Sequence, residues 1–477
     1  MHSLPIQQLA DTLTKIGSCF SSTLDWNRLE ISLRDTLYDF IDQLISPVLQ
    51  AVLEDKKEFL PPLKQLAARK GMRFCGFRRT SVRIFTGRTL TISSPWFTKA
   101  PSKRKRKKAP NGSGCHLGLE VLGFIERVSA NLASNVMQLA ILCPSFRIAG
   151  KVLREQGILL DVKTIQRLCR KFGQGAMRNR GKISFKSNGL NLKDITVLIC
   201  MDGGRLRQRK RKKGRKPAAL KRQGYTTDWV EPKLLTIQFL DAHGKLIREI
   251  SPIYDATLGN IENFFDLLEL YLHQLDLATA GRVVFCADGA PCLWKRIPKL
   301  MDRLGVSDWY EALDYTHAKQ NLNQIAEMIP RSLASHRQEI FEYWKDLLWH
   351  GEFDELRSTI EELFRSPKKR AQALKKFDNY FAGNKDRMQY SHFKEHNLPT
   401  GSGGAVESAI RRVINLCLKG AGIFWTAEMA EVMLFLRSQF LCDRWNIVLD
   451  NLVNRTREMF VQFWPQMTST EGFQQAA

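Results

Sequence analysis

The chain has 477 residues and carries 73 Lys+Arg against 48 Asp+Glu, a formal charge of +25 that asks for a polyanionic partner. With 44% hydrophobic and 25% charged residues, global disorder is excluded, and the length asks for two or three domains because single cores stop growing at about 250–300 residues. No run approaches the roughly 18 uninterrupted apolar residues of a membrane span, and Met1 to Lys15 lacks a basic region followed by an apolar one, so a soluble, unexported chain is expected.

From Leu9 to about Leu66 the apolar residues recur at helical spacing, as in Leu29, Leu33, Leu37, Phe40 and Ile41. Val82 to Trp96 alternates as a β-hairpin would, around Thr86-Gly87. Residues 1–100 therefore read as a helical region with a small hairpin, and residues 101–116 as a basic linker. Six consecutive basic residues, Lys103 to Lys108, lie there between Pro101 and Pro110 and read as a non-specific phosphate contact or as a passive linker. The ten cysteines never fall in C-x-x-C spacing, which fits a reducing compartment. Cys75, Cys115 with His116, and Cys286 with Cys292 have no partner pair at zinc-site spacing and read as buried thiols.

Residues 117–180 read as a helical domain whose segment Ser145 to Phe172 has the form of a helix-turn-helix. Phe146, Ala149, Val152 and Leu153 line one helix, Gly157 marks the turn, and Ile165, Leu168 and Phe172 line the second. On its other faces Lys163, Gln166, Arg167, Arg170 and Lys171 are placed to meet a DNA groove. Two amphipathic helices packed in an ordinary helical domain would read the same way.

After Gly181 the pattern alternates. Thr196 to Met201 is a short continuous apolar run, the mark of a strand buried on both faces. Leu234 to Leu240 and Leu246 to Tyr254 follow as two strands, joined through a turn at Asp241-Ala-His-Gly244. Asn260 to Leu277 reads as a helix, Val283 to Ala287 as a strand, Cys292 to Leu304 as a helix and Trp309 to Leu313 as a fifth strand. A hairpin makes the first strands antiparallel and helical crossovers make the later ones parallel. That mixed order is the plan of a ribonuclease H-like domain over residues 190–318 and 400–445, interrupted by an all-helical insertion at 319–399 and followed by a helical tail at 446–477. The fold class expected is thus α+β/α and multidomain, with a helical DNA-binding region first.

Between the first two of these strands Arg205 to Arg222 holds eleven basic residues and no acid. It includes Arg205, Arg207, Arg209, Lys210, Arg211, Lys212, Lys213, Arg215 and Lys216. Such a run repels itself and reads as a mobile loop that orders against phosphate.

Three acids fall at informative positions: Asp202 ends the first strand, Asp288 the fourth, and Glu407 lies in the first turn of the helix after Thr400-Gly-Ser-Gly-Gly404. Each alone reads as a turn aspartate or a helix-dipole glutamate. Taken together, with the first and fourth strands as neighbours at the sheet centre, they make an all-oxygen site suited to Mg²⁺. Two such ions about 3.5–4 Å apart serve phosphodiester cleavage and transfer.

At these segments the sequence resembles the DDE-type transposases of bacterial insertion sequences, in the branch related to the Mutator and hAT superfamilies. The matching stretches are Ile199 to Arg205, Thr227 to Leu235, Phe285 to Ala290, Asp314-Tyr-Thr-His317 and Thr400 to Glu407, within a similarity spanning roughly Asp194 to Trp445. The resemblance implies Asp202, Asp288 and Glu407 as ligands of two Mg²⁺ ions, with Mn²⁺ able to substitute. It implies His317 close to the scissile phosphate or the metal site. It also implies double-stranded DNA partners (terminal inverted repeats and target DNA), a homodimer or larger synaptic assembly, and a cytoplasmic, nucleoid-associated bacterial protein. Without it, Asp314 reads as a helix cap and His317 as a first-turn residue. Arg411, four residues beyond Glu407, would orient that carboxylate or hold phosphate, or else form a surface ion pair. Trp425 would stack on an unpaired base, or else be buried. The alternatives to a transposase are a catalytically inactive, domesticated DNA-binding protein and a stand-alone ribonuclease H-like nuclease.

Overall fold

The computed structural model describes residues 3–99, 114–182, 191–215 and 223–464. Lys103 to Lys108 and the segment from Lys216 to Arg222 lie outside them. The chain forms two compact units, Met1–Asn179 with Asn446–Ala477, and Arg180–Trp445. Among the described residues no helix is long and apolar enough to cross a membrane.

The first unit begins with helices Ser3–Thr23, Trp26–Glu54 and Leu60–Arg69. Asp25 separates the first two and caps the second, its side chain accepting the Arg28 N–H at 3.1 Å. Strands β1 (Met72–Arg83) and β2 (Thr89–Lys99) pair antiparallel, and β3 (Gly114–Cys115) adds to β2. The turn lies at Thr86-Gly87, where Gly87 has φ +77°. The hairpin is longer than the Val82–Trp96 expected, because its first half pairs through backbone bonds while its side chains are half-buried or exposed and show no clear apolar alternation. Val82, Ile92 and Phe97 point from it into a core with Leu53, Leu63 and Leu66. The last helix, Trp445–Val461, supplies Phe460 to the same core, so it is part of this unit and not a separate tail.

Helices Ala130–Leu142, Phe146–Glu155 and Val162–Met177 follow in this unit. Ser145 and Asp161 cap the latter two, accepting the backbone N–H groups of Ile148 at 3.2 Å and Thr164 at 2.9 Å. Gly157 turns between them with φ +80°. The helix-turn-helix outline read from Ser145 to Phe172 corresponds to these two helices.

The second unit is a mixed α/β structure. Its main strands are β4 (Thr196–Gly203), β7 (Lys233–Leu240), β8 (Ile253–Thr257), β9 (Arg282–Ala287) and β10 (Trp309–Leu313), in the order β10–β9–β4–β7–β8. Strands β4, β7 and β8 alternate in direction, and β9 and β10 run parallel to β4. Helix Ile261–Gln274 packs Phe264, Leu268 and Tyr271 on this sheet.

Three expectations are corrected here. The strand expected over Leu246 to Tyr254 reduces to a single bridge at Leu246, and the pairing resumes only in β8. The helix expected from Cys292 to Leu304 is broken into Pro291–Trp294 and Ile297–Leu304. Arg205 to Arg222 is not wholly a loop: β5 (Leu206–Arg211) pairs antiparallel with β6 (Tyr225–Val230) as a separate two-stranded ribbon. The ribbon was missed because a strand exposed on both sides shows no apolar alternation.

After β10 come helices Tyr315–Ala326, Arg337–His350, Phe353–Leu363, Pro367–Tyr380 and Tyr390–Glu395, so the stretch read as an insertion is helical, with its first helix beginning at Tyr315. Helix Ala405–Ile410 then passes into a π turn at Arg411–Asn415. A π turn frees backbone carbonyls from their usual partners. The buried Arg437 of helix Ala427–Leu441 takes two of them, donating to the carbonyls of Val413 (2.7 Å) and Arg412.

Candidate active site

The register of the parallel strands sets the site. Met201 pairs with Ala287, and Ala287 with Leu313, so the next residue of each strand lies on one edge of the sheet. Those residues are Asp202, Asp288 and Asp314. Asp202 Oδ1 accepts the Gly203 N–H at 2.6 Å, and Asp288 Oδ1 accepts the Ala290 N–H at 3.2 Å.

Asp314 plays a different part. Its Oδ1 accepts the Thr316 N–H at 2.7 Å, capping helix Tyr315–Ala326, and its Oδ2 accepts the Ser402 N–H at 2.8 Å. The Tyr315 N–H donates to the Thr400 carbonyl at 3.0 Å. These bonds draw the glycine loop 400–404 onto the sheet edge. A Cβ on Gly401 would come within 3.1 Å of Asp314 Oδ2, and Gly403 and Gly404 have φ of +61° and +79°, where side chains are strained. Ser402 Oγ then donates to Glu407 Oε2 at 3.0 Å. Glu407 is thus tied to the sheet edge through Ser402 and Asp314.

The electrostatics show which groups share this space. Burial raises the Asp202 carboxyl above the usual range, and the charges of Asp288 and Glu407 push the same way, against the Gly203 N–H and the nearby His317. For Asp314, burial also pushes upward, but the bonds from Ser402 and Thr316 and the charge of His317 outweigh it and hold the carboxyl low. Asp202, Asp288, Glu407 and His317 are therefore neighbours. The three acids are not all within 4.8 Å of one another; among the described residues the one such group of metal-ligating side chains is His392, Glu395 and His396, exposed on the insertion.

Asp202 and Asp288 line a cleft of about 110 Å³ with Glu231 and Lys233, which the sequence reading passed over. A Cβ on Gly203 would meet the Glu231 carboxylate at 2.1 Å, so glycine there lets that acid fold back over the end of β4. Tyr380, from the insertion, is a further neighbour: a Cβ on Gly289 would come within 2.9 Å of its ring, and burial and then Asp288 push its hydroxyl pKa up. The Thr227–Leu235 stretch held the only signal for Glu231. Nothing local to Tyr380 marks it.

The expected DNA contacts sort differently. Arg207, Arg209, Lys210 and Arg211 lie on β5, with Arg205 just before it and Lys212, Lys213 and Arg215 exposed after it. Lys210 pairs with Asp228 at 3.0 Å. Lys163 is exposed, while Arg167 lies 3.9 Å from Glu126. Of the paired readings for Trp425 the buried one holds, and for Arg411 the contact to Glu407 is removed. Trp425 is only 7% exposed and its indole N–H donates to the Leu418 carbonyl at 3.1 Å, so it is a packing residue with no face open to a base. Arg411 is exposed and forms no ion pair with Glu407 among the described residues; the carboxylate takes Ser402 instead, and the helix changes to a π turn at Arg411. Of the cysteines considered for zinc, Cys286 is buried, Cys115 is half-buried with a thiol pushed up to about 12 by burial, and Cys75 and Cys292 are exposed, contrary to the buried reading.

No protein-family model matches the chain, and no curated protein matches it. Two solved structures are similar to it. One is the Drosophila P element transposase strand transfer complex, 12% identical over 72% of this chain and 87% of that one, with a TM-score of 0.25. The other is a pre-cleavage Mos1 transpososome, 13% identical over 53% of this chain and 68% of that one, with a TM-score of 0.15.

Proposed function

We propose that the chain is a DNA transposase whose second unit is a ribonuclease H-like catalytic domain. What carries this reading is Asp202 and Asp288, held on adjacent parallel strands, with Glu407 tied to the same edge through Ser402 and Asp314.

The donor set fits a hard divalent cation. Three carboxylates supply only oxygen, and burial, joined by the charges of Asp288 and Glu407, raises the Asp202 carboxyl in spite of the Gly203 N–H and His317. Asp202, Asp288 and Glu407 would hold Mg²⁺, with Mn²⁺ as a substitute. Bound there, the metal supplies positive charge for an attacking oxygen and a leaving oxygen.

The chain's own residues do the rest. Asp314 and Ser402 hold Glu407, and His317, whose charge acts on Asp202 and Asp314, would hydrogen-bond a phosphate oxygen. The basic side chains of β5 neutralise the DNA backbone without reading sequence. The reaction that fits is hydrolysis of a phosphodiester at an element end, followed by attack of the freed 3′-hydroxyl on target DNA. Because two ends must be joined in one event, a dimer or larger assembly is expected.

The test uses a labelled element end with Mg²⁺, taking the DNA flanking the gene as its source. Wild type should nick and join this DNA, and Asp288→Ala should lower both by more than about a hundred-fold, beyond the 10- to 100-fold typical of outer-shell losses. Retention of cleavage by Asp288→Ala removes the assignment. Cleavage without joining by wild type would make the protein a nuclease.

A further inference from the structure

The basic stretch after Asp202 is a ribbon, and a ribbon has two faces. In β5 and β6 Arg207 is opposite Trp229, Arg209 opposite Thr227 and Arg211 opposite Tyr225. Directly paired residues share a face. One face of the ribbon therefore carries three arginines, a tryptophan and a tyrosine, with no acid. The single acid of the pair, Asp228, lies on the other face beside Lys210.

This face has no core over it. Trp229 is 52% exposed and Tyr225 48%. The aromatic surface is nonetheless organised. The Arg207 guanidinium lies 4.8 Å from the Trp229 ring and 5.8 Å from the Phe424 ring, and Phe424 lies 5.8 Å from Tyr225. The four side chains make a continuous series of flat π and cationic surfaces. Behind it the ribbon is anchored. Leu206 is fully buried, and the Phe424-Trp425 segment pairs with β5 through Arg209 N–H to the Trp425 carbonyl (2.8 Å) and Trp425 N–H to the Arg207 carbonyl (3.0 Å).

We propose that this face binds single-stranded DNA, with unpaired bases stacked on Trp229 and Tyr225 and the arginines on the phosphates. The proposal rests on the transposase reading for the identity of its ligand. Exposed rings of this kind stabilise bases through their flat faces, and a duplex hides those faces inside its stack. An acid-free row of arginines complements the phosphate backbone and would repel a basic partner. The ribbon begins at Leu206, three residues beyond Gly203 in β4. Strand separated near the acids would therefore have a platform attached to the strand that carries Asp202.

The test is fluorescence anisotropy of the full-length protein with a labelled single-stranded oligonucleotide and with the duplex of the same sequence, at fixed salt and without divalent ion. Trp229→Ala combined with Tyr225→Ala should weaken single-strand binding by about ten-fold or more, since each stacked base is worth roughly 1–3 kcal/mol. Duplex binding should change by less than about two-fold, and Trp229→Phe should keep most of the wild-type affinity for the single strand. An equal loss on both DNAs, or no loss on the single strand, overturns the proposal. Circular dichroism and the melting temperature establish that the variants are folded. The outcome is separable from the catalytic reading because Asp288→Ala should retain full single-strand binding. A protein that binds single strands through Trp229 but never cleaves would keep this platform and lose the transposase assignment.

Discussion

Asp202 and Asp314 each come directly after the last residue that pairs with the parallel strand β9 of the same sheet, yet their surroundings act on them in opposite directions. Asp314 is 3% exposed, accepts two backbone N–H groups and has its carboxyl held low. Asp202 accepts one from Gly203, and burial, with the charges of Asp288 and Glu407 added, raises its carboxyl. A carboxylate whose oxygens are satisfied by the protein has been committed to structure. One left among like charges stays available to a cation, and the fold tolerates the cost. Two aspartates that look alike in sequence thus part: Asp314 builds the sheet edge, and under the proposed function Asp202 holds the cation there.

Substitution by asparagine should divide them, with the largest effect on activity at Asp202. Asp202→Asn should lower strand cleavage by more than about a hundred-fold while raising the melting temperature at neutral pH, measured in chelator. The sign follows from linkage. A carboxyl raised in the folded state favours folding when protonated, so its contribution is complete below its ordinary value of 3.8 and is lost as pH rises. The gap between variant and wild type should therefore open with rising pH.

Asp314→Asn should do the reverse to stability. Its carboxyl is lowered, so its contribution is complete above 3.8 and is lost as pH falls through the lower folded value. The variant should be less stable than wild type at neutral pH by about 1.5–3 kcal/mol, the worth of hydrogen bonds to a charged group, and the difference should close in acid. Cleavage should fall by about 10- to 100-fold, because the residue acts through Glu407. Melting curves of both variants from neutral to acidic pH check both signs, and shifts of the same sign would break the comparison.

Much of this edge was legible in sequence. The runs Thr196 to Met201 and Val283 to Ala287 announce strands buried on both faces, and an acid directly after each is visible by eye. Connection lengths set the strand directions, and the ribonuclease H-like plan they suggest makes the first and fourth strands neighbours, which is why Asp202 and Asp288 are expected side by side. The ribbon of β5 and β6 was not legible. Its charges suggested a loop, and what holds it as a strand includes the edge of Trp425, far away in the chain. The same distance left two readings of Trp425 open in the sequence. A tryptophan after a glycine-rich stretch carries no sign of whether its ring faces a base or the back of a strand. Asp314 was visible as a helix cap, but its second partner, Ser402, lies across the whole insertion.

Within the loop that carries Glu407, a smaller change tests how closely it is held. A Cβ at Gly401 would be 3.1 Å from Asp314 Oδ2 and 3.2 Å from its Cγ, so Gly401→Ala forces the loop away by a few tenths of an ångström. Cleavage should fall by about ten-fold with the fold intact, since displacement near 1 Å costs about a hundred-fold. Activity equal to wild type would mean that the Asp314 contact does not set the position of Glu407.

The smallest effect belongs to Ser402→Ala. It removes the bond from Ser402 Oγ to Glu407 and the weaker one that this oxygen accepts from the Gly404 N–H (3.3 Å), but keeps the Ser402 N–H on Asp314, which still holds the loop to the sheet edge. A neutral donor to a half-exposed carboxylate is worth about 0.5–1.5 kcal/mol, which corresponds to a loss of several-fold in cleavage. If Asp314 and Ser402 act in series on one carboxylate, the double variant Asp314→Asn with Ser402→Ala should lose less than the product of the two single losses. Simple multiplication would show that Asp314 reaches Glu407 by another route, and the division of labour between the two aspartates would have to be drawn without Ser402.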